Sequence, residues 1–230
     1  MLNIFKKYFA ISIFLSILSL YSHAGRPMVV DDAALVPPKS CQIEMWAQDN
    51  IENNEYWVVP ACNSGRNLEL AIGTGKITDH KDRNHFINIQ AKTLLKPLTT
   101  NGWGVGFSVA SQVDTNNSKN DWQFNIPVSF SMLNDHFLIH LNAGVSREHL
   151  THRNLTTWGI GTETQIASPI FLTAEVYGND RHESFYQTGF KHMLYKDFVQ
   201  LDASYGNSFS TSDQQFFSLG LVFQSNKILP

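Results

Sequence analysis

Beyond residue 24 the chain has no run of 18 or more apolar residues, so nothing there can cross a membrane as a helix. Helical periodicity is missing too, which excludes a helical bundle. Charge is sparse, at 16% of residues, and the 17 basic side chains are outnumbered by 20 acidic ones. No basic patch stands out, so nucleic acid is excluded as a partner. There are only two cysteines, with no CxxC spacing and no adjacent histidine, which argues against a thiolate metal site or a reactive dithiol. No glycine-rich loop lies between a strand and a helix. Gly102-Trp103-Gly104-Val105-Gly106 reads as a strand with inward glycines, which excludes a nucleotide fingerprint. Low-complexity tracts and a second domain are also absent.

What is present is a period of two. From Trp122 to Met132 every even position is large and apolar, while the odd positions are polar or small apart from Pro127. One face of such a strand is greasy and the other wet. A tilted strand of about 9–11 residues crosses the hydrocarbon core as part of a closed barrel. The pattern recurs, and we expect strands at 41–49, 55–62, 68–77, 85–95, 103–113, 122–132, 136–147, 156–165, 170–179, 184–193, 199–206 and 215–224, with Gly, Asn, Asp, Ser and Pro at the joints. The fold class is therefore all-β: a single antiparallel transmembrane β-barrel of about twelve strands, ten being the alternative. An even count returns both termini to one side. Eight-residue polar connections at Asp114–Asp121, Glu148–Leu155 and Asn207–Gln214 suit the outward side. The tight Leu133-Asn134-Asp135 and Ala167-Ser168-Pro169 turns suit the periplasmic side, whereas Lys96–Gly102 is long for that side.

The first 24 residues form an export signal: Lys6 and Lys7, an apolar stretch from Tyr8 to Tyr21, and a small-x-small site at Ser22-His23-Ala24. We expect cleavage after Ala24 and location in the outer membrane of a Gram-negative bacterium. Of the 17 basic residues, Lys6 and Lys7 leave with the leader, so 15 remain against 20 acidic ones. Residues 25–40 carry Pro27, Pro37, Pro38 and the Asp31-Asp32 pair, and form an extended periplasmic lead-in that approaches or plugs the barrel mouth. Residues 41–230 form the barrel. Cys41 and Cys62 bound the first two strands at the open end of their hairpin. A disulfide there, suited to an oxidising compartment, contributes about 3 kcal/mol. Trp103, Trp122, Trp158, Tyr177, Tyr195, Phe198, Tyr205 and Phe223 lie near segment ends, as interfacial aromatics do.

If the apolar faces meet lipid, the opposite faces line a lumen. Its charged candidates are Glu44, Glu69, Lys92, His140, Glu163, Glu175, Lys191 and Asp202. Stepping equally outward from each turn pairs Lys191 with Asp202 and Glu69 with Lys92 across neighbouring strands, each pair worth up to about 1 kcal/mol. Such groups form a charge network that fills the barrel, or a selectivity constriction. His182-Glu183-Ser184 is superficially like the Ser–His arrangement of outer-membrane phospholipases, but Lys196 stands where the orienting polar group belongs, so no catalytic residues are assigned. His80, His85, His149 and His152 sit on polar loops and read as surface residues. No metal or other cofactor is expected.

The lead-in Arg26-Pro27-Met28-Val29-Val30-Asp31-Asp32-Ala33, followed after a strand by Asn67-Leu68-Glu69-Leu70-Ala71-Ile72-Gly73, resembles one known family. These are the outer-membrane barrels associated with the meta-pathway of phenol degradation, the MetA-type proteins. The resemblance lies mainly in the first part of the exported chain and implies a transport-like barrel without catalytic residues. We therefore expect a pore or uptake channel for small molecules, with membrane lipid and an unidentified small solute as partners. Alternatives are a non-conducting structural or surface-interaction barrel, an acyl hydrolase, and a soluble periplasmic ligand-binding barrel.

Overall fold

A computed structural model describes residues 26–79, 83–117, 119–149, 151–195, 198–210, 214–225 and 227–229. The expected export signal and cleavage after Ala24, together with His80 and Lys196, lie outside the described residues. Twelve strands follow one another: β1 (Ser40–Asn50), β2 (Asn54–Asn63), β3 (Leu68–Thr78), β4 (Arg83–Lys96), β5 (Trp103–Asp114), β6 (Lys119–Met132), β7 (Phe137–Glu148), β8 (Arg153–Ala167), β9 (Ile170–Asn179), β10 (Ser184–Leu194), β11 (Val199–Ser208) and β12 (Phe216–Gln224). Each pairs antiparallel with its neighbours in sequence, and β12 closes the sheet onto β1. Closure removes both sheet edges, so every strand has two partners.

Alternation decides what faces where. In β6, Trp122, Phe124, Ile126 and Phe130 are exposed on the outer wall, whereas Asn125, Pro127, Ser129 and Ser131 are buried inside. Ile43, Val58, Leu70, Ile72, Ile89, Leu172, Phe190, Leu219 and Phe223 continue the outward apolar band around the barrel. An apolar outside and a polar inside is the pattern of a barrel that sits in lipid. Tyr177 departs from the expected interfacial set. It takes the inward register of β9, beside Glu175, and stacks on Phe185 at 5.6 Å between ring centroids. Within the sheet, Pro60 and Pro127 cannot donate to the ladder. Pairing is interrupted beside each of them, yet the register resumes unchanged (Val58↔Thr74 then Ala61↔Ala71; Val105↔Val128 then Ser108↔Asn125).

The 133–136 turn at the end carrying the termini is tight, and Leu133, Asn134 and Asp135 all adopt positive φ there. The segment 97–102 folds back over that rim: the Gly102 amide bonds the Thr99 carbonyl at 2.9 Å and the Ser131 amide bonds the Gly102 carbonyl at 2.8 Å. At the far end, two of the connections expected to be long are shorter. Pairing continues out to Asp114↔Lys119 and Glu148↔Arg153, so the ladder takes up much of what the sequence offers as loop. Paired strands satisfy one another's backbone above the apolar band, which favours extending the ladder over leaving free loop. The asymmetry between the two ends is correspondingly weaker than the sequence suggests.

Candidate functional site: the lumen and the segment that crosses it

Cys41 and Cys62 are register partners joined by a disulfide, which ties the base of β1 to the end of β2. Immediately before β1, the chain enters the barrel from the end carrying the termini. Lys39 donates its amide to the Asn63 carbonyl at 2.8 Å, and the Asn63 side chain donates to the Val36 carbonyl at 2.8 Å. Prolines 37 and 38 keep this stretch from joining the sheet. From there the segment 26–36 crosses the lumen, where Val30, Ala33 and Val36 are all buried.

The wall supplies the hydrogen bonds that an irregular chain needs in an enclosed space. The Val36 amide donates to Glu69 on β3 at 2.6 Å, and the Ala33 amide to Ser129 on β6 at 2.8 Å. Asp31 exchanges two bonds with Asn142 on β7: its amide donates at 2.8 Å and its carbonyl accepts at 2.7 Å. The amides of Val29 and Val30 donate to the Glu175 carboxylate on β9 at 2.9 and 2.8 Å. Gln187 on β10 donates to the Pro27 carbonyl, and Gln200 on β11 to the Arg26 carbonyl at 2.7 Å. Glycines make room on β8: a Cβ at Gly159 would lie 2.7 Å from Val30, and one at Gly161 would collide with Met28.

Charge sorts into two groups. Lys92 on β4 reaches Asp31 at 2.7 Å and Asp32 at 2.8 Å. Burial pushes the Asp31 carboxyl above its ordinary range, against the pull of the Lys92 ammonium. Glu69 and Lys92 are register partners, but the Glu69 carboxylate accepts the Val36 amide, and Lys92 serves the segment's two aspartates. In the second group, Lys191 on β10 bonds Glu163 on β8, whose other oxygen lies 3.7 Å from Nε2 of His140 on β7. His140 in turn shares a 2.7 Å hydrogen bond with Ser129. Lys191 and Asp202 are also register partners. Asp202 pairs with Arg26 at 3.7 Å, and Arg26 also bonds Ser218 and lies 4.6 Å above the Trp46 ring. Burial pushes the Arg26 guanidinium below its ordinary value, opposed first by Asp202 and then by Glu44.

The lumen is consequently divided. On the β6–β11 side, Ser129, His140, Glu163, Lys191 and Asp202 are almost completely buried and the interior is packed. On the β1–β5 side, a cavity of about 600 Å³ lies between the segment and the wall. Glu44, Glu55, Glu69, Gln90, Trp46 and Trp57 face it, and the two indoles stack at 5.7 Å. A smaller cavity of about 280 Å³, lined by Tyr177 and Trp158 among others, lies beyond the segment.

Sequence reasoning missed the segment's partners, Ser129, Asn142, Gln187 and Gln200 foremost. Their inward register was visible, but nothing marked them as hydrogen-bonded to a distant stretch of chain. Away from the lumen, His182 sits in the 180–183 turn at positive φ and its carbonyl accepts from Ser210 at 3.2 Å, while Ser184 opens β10. The rings of His149 and His152 lie 5.5 Å apart in another turn. Among the described residues no three His, Cys, Asp or Glu side chains are placed to hold a metal ion.

The family model described as Uncharacterised conserved protein UCP029691 matches residues 14–224. Among solved structures, the chain is similar to the KdgM porin in complex with disordered oligogalacturonate, with a TM-score of 0.66 and 9% identity over 79% of this chain and 98% of that one. It is similar to the NanC porin, at a TM-score of 0.61 and 8% identity over 80% and 98%. An outer-membrane channel from Pseudomonas putida F1 gives a TM-score of 0.59 and 9% identity over 84% and 98%. At such identities the likeness is one of fold. No curated protein matches the chain in sequence.

Proposed function

Since the chain belongs to the family described as Uncharacterised conserved protein UCP029691, a description that specifies no solute, we propose its function from the lumen itself: an outer-membrane channel for small polar molecules, narrowed by its own N-terminal segment. The observation that carries this is the polar cavity of about 600 Å³ enclosed by a barrel whose outside is apolar. Water and small solutes are the natural content of such a space, and it follows the β1–β5 wall, where the lumen is not packed. Similarity in fold to the KdgM and NanC porins supports the reading. So does the likeness of the lead-in to MetA-type barrels, which accounts for a transport role better than for chemistry. The function is non-enzymatic, with His182 and Ser184 as rim residues.

Planar-bilayer recording of the full exported protein tests this. We expect small, salt-scaled conductance steps, and larger, longer-lived steps once residues 26–36 are deleted. A deletion variant that still shows a folded, heat-modifiable barrel on gels but conducts no better than a bare bilayer would refute the channel.

A further inference from the structure

Arg26 occupies a place on the wall that is built for a cation. Its guanidinium lies 4.6 Å over the face of Trp46, where a ring quadrupole attracts positive charge. Ser218, almost fully buried, accepts a hydrogen bond from it, and Asp202, fully buried, faces it at 3.7 Å. Glu44 adds negative charge from the same cavity. Yet the fit is incomplete. Among the described residues Oδ1 of Asp202 has no hydrogen-bond partner, nor has Nε of Arg26, and 3.7 Å is longer than a charge-assisted hydrogen bond of about 2.8 Å. Arg26 is held back by its own chain, because its carbonyl is bonded to Gln200 and the next residue's carbonyl to Gln187. A guanidinium free of that tether could turn its planar fork onto Asp202 and satisfy Oδ1 beside Oδ2, which already accepts from Gln200 at 3.2 Å.

We infer that Trp46, Asp202, Ser218 and Glu44 form a binding site for small organic cations of the guanidinium class, and that Arg26 is a resident stand-in for that ligand. Arg26, Glu44 and Trp46 line the larger cavity, with Asp202 and Ser218 buried behind the Arg26 side chain, so an incoming cation meets this face along the proposed path. Its role as a station for transported solute rests on the channel proposed above; its ability to hold a guanidinium does not. The tether presents Arg26 at an effective concentration of the order of millimolar, so a free cation competes with it. Removing the Arg26 side chain removes the competitor, and apparent affinity rises by the inverse of the fraction of sites left open.

Calorimetric titration of the detergent-solubilised, full exported chain with agmatine, a guanidinium on a short aminoalkyl chain, tests this. Arg26→Ala should bind agmatine about tenfold more tightly than the unsubstituted protein, and Arg26→Ala with Asp202→Asn should lose that gain. Trp46→Leu in the Arg26→Ala background gives a second variant should the Asp202 change prevent folding, and it should weaken binding likewise. Tetramethylammonium, which cannot donate hydrogen bonds, should bind the Arg26→Ala protein more weakly than agmatine. Equal affinity with and without Arg26, or full agmatine binding without Asp202 or Trp46, overturns the site. Agmatine binding by a barrel that never conducts would instead refute the channel and leave the site standing.

Discussion

At the level of single residues, the inward charges are a network first. Glu163, Lys191, His140 and Asp202 are withdrawn from water, and each has a polar neighbour on another strand or on the segment. Removing one member of a buried ion pair leaves the other charged in a poor dielectric, which typically costs 3–5 kcal/mol. Lys191→Met should therefore lower the stability of the folded barrel by about 3 kcal/mol, read as a lower urea midpoint in lipid vesicles. A change in ion selectivity with stability intact would instead place Lys191 at a constriction. Much of this was legible in the sequence: two-residue alternation marks the inward positions, and equal steps from a turn give the Lys191↔Asp202 and Glu69↔Lys92 registers observed. Register did not decide which carboxylate each ammonium serves. That choice depends on β8 in one case and on residues 31 and 32 in the other, neither reachable by counting from a hairpin turn.

Among the elements, the strands were readable because each satisfies a local rule, whereas the segment 26–36 obeys none. It has no periodicity, since its side chains face different strands in turn, and its backbone bonds to side chains at positions as distant as Gln200. Its prolines and acid pair indicate only that it is not a strand. What fixes it in place is the hairpin at its root, where the disulfide lies next to the Lys39–Asn63 and Asn63–Val36 hydrogen bonds. Cys41 and Cys62 stand 21 residues apart, so opening the bridge frees a loop worth about 3 kcal/mol in the unfolded chain. Replacing both cysteines with serine should lower the unfolding midpoint accordingly, with the same barrel retained, because the flanking Gln42↔Ala61 pairing and the whole β1–β12 seam remain. Unfolding with and without reductant, compared between the native and serine forms, measures the effect. An unchanged midpoint would mean that the closed sheet already restricts this loop as strongly as the bridge.

For the molecule as a whole, the segment also sets the charge of the lumen. In place, it brings Arg26, Asp31 and Asp32 into the lumen, where the two aspartates are matched to Lys92 and the arginine to Asp202. Without it, the inward wall keeps Glu44, Glu55, Glu69, Glu163, Glu175 and Asp202 against Lys92 and Lys191. Glu163 and Lys191 still neutralise one another, but the carboxylates facing the larger cavity then outweigh Lys92. In a narrow polar bore with apolar surroundings, such an imbalance acts over the whole cross-section, because fields there are weakly screened by solvent. A barrel lacking residues 26–36 should therefore pass potassium in preference to chloride, seen as a reversal potential displaced toward the potassium equilibrium potential under a KCl gradient. Glu44→Gln with Glu55→Gln, both on the open side and away from the Glu163–Lys191 pair, should move that potential back toward zero without lowering single-channel stability. Chloride preference in the deleted form, or a reversal potential indifferent to both substitutions, would show that ions follow a path other than the β1–β5 wall.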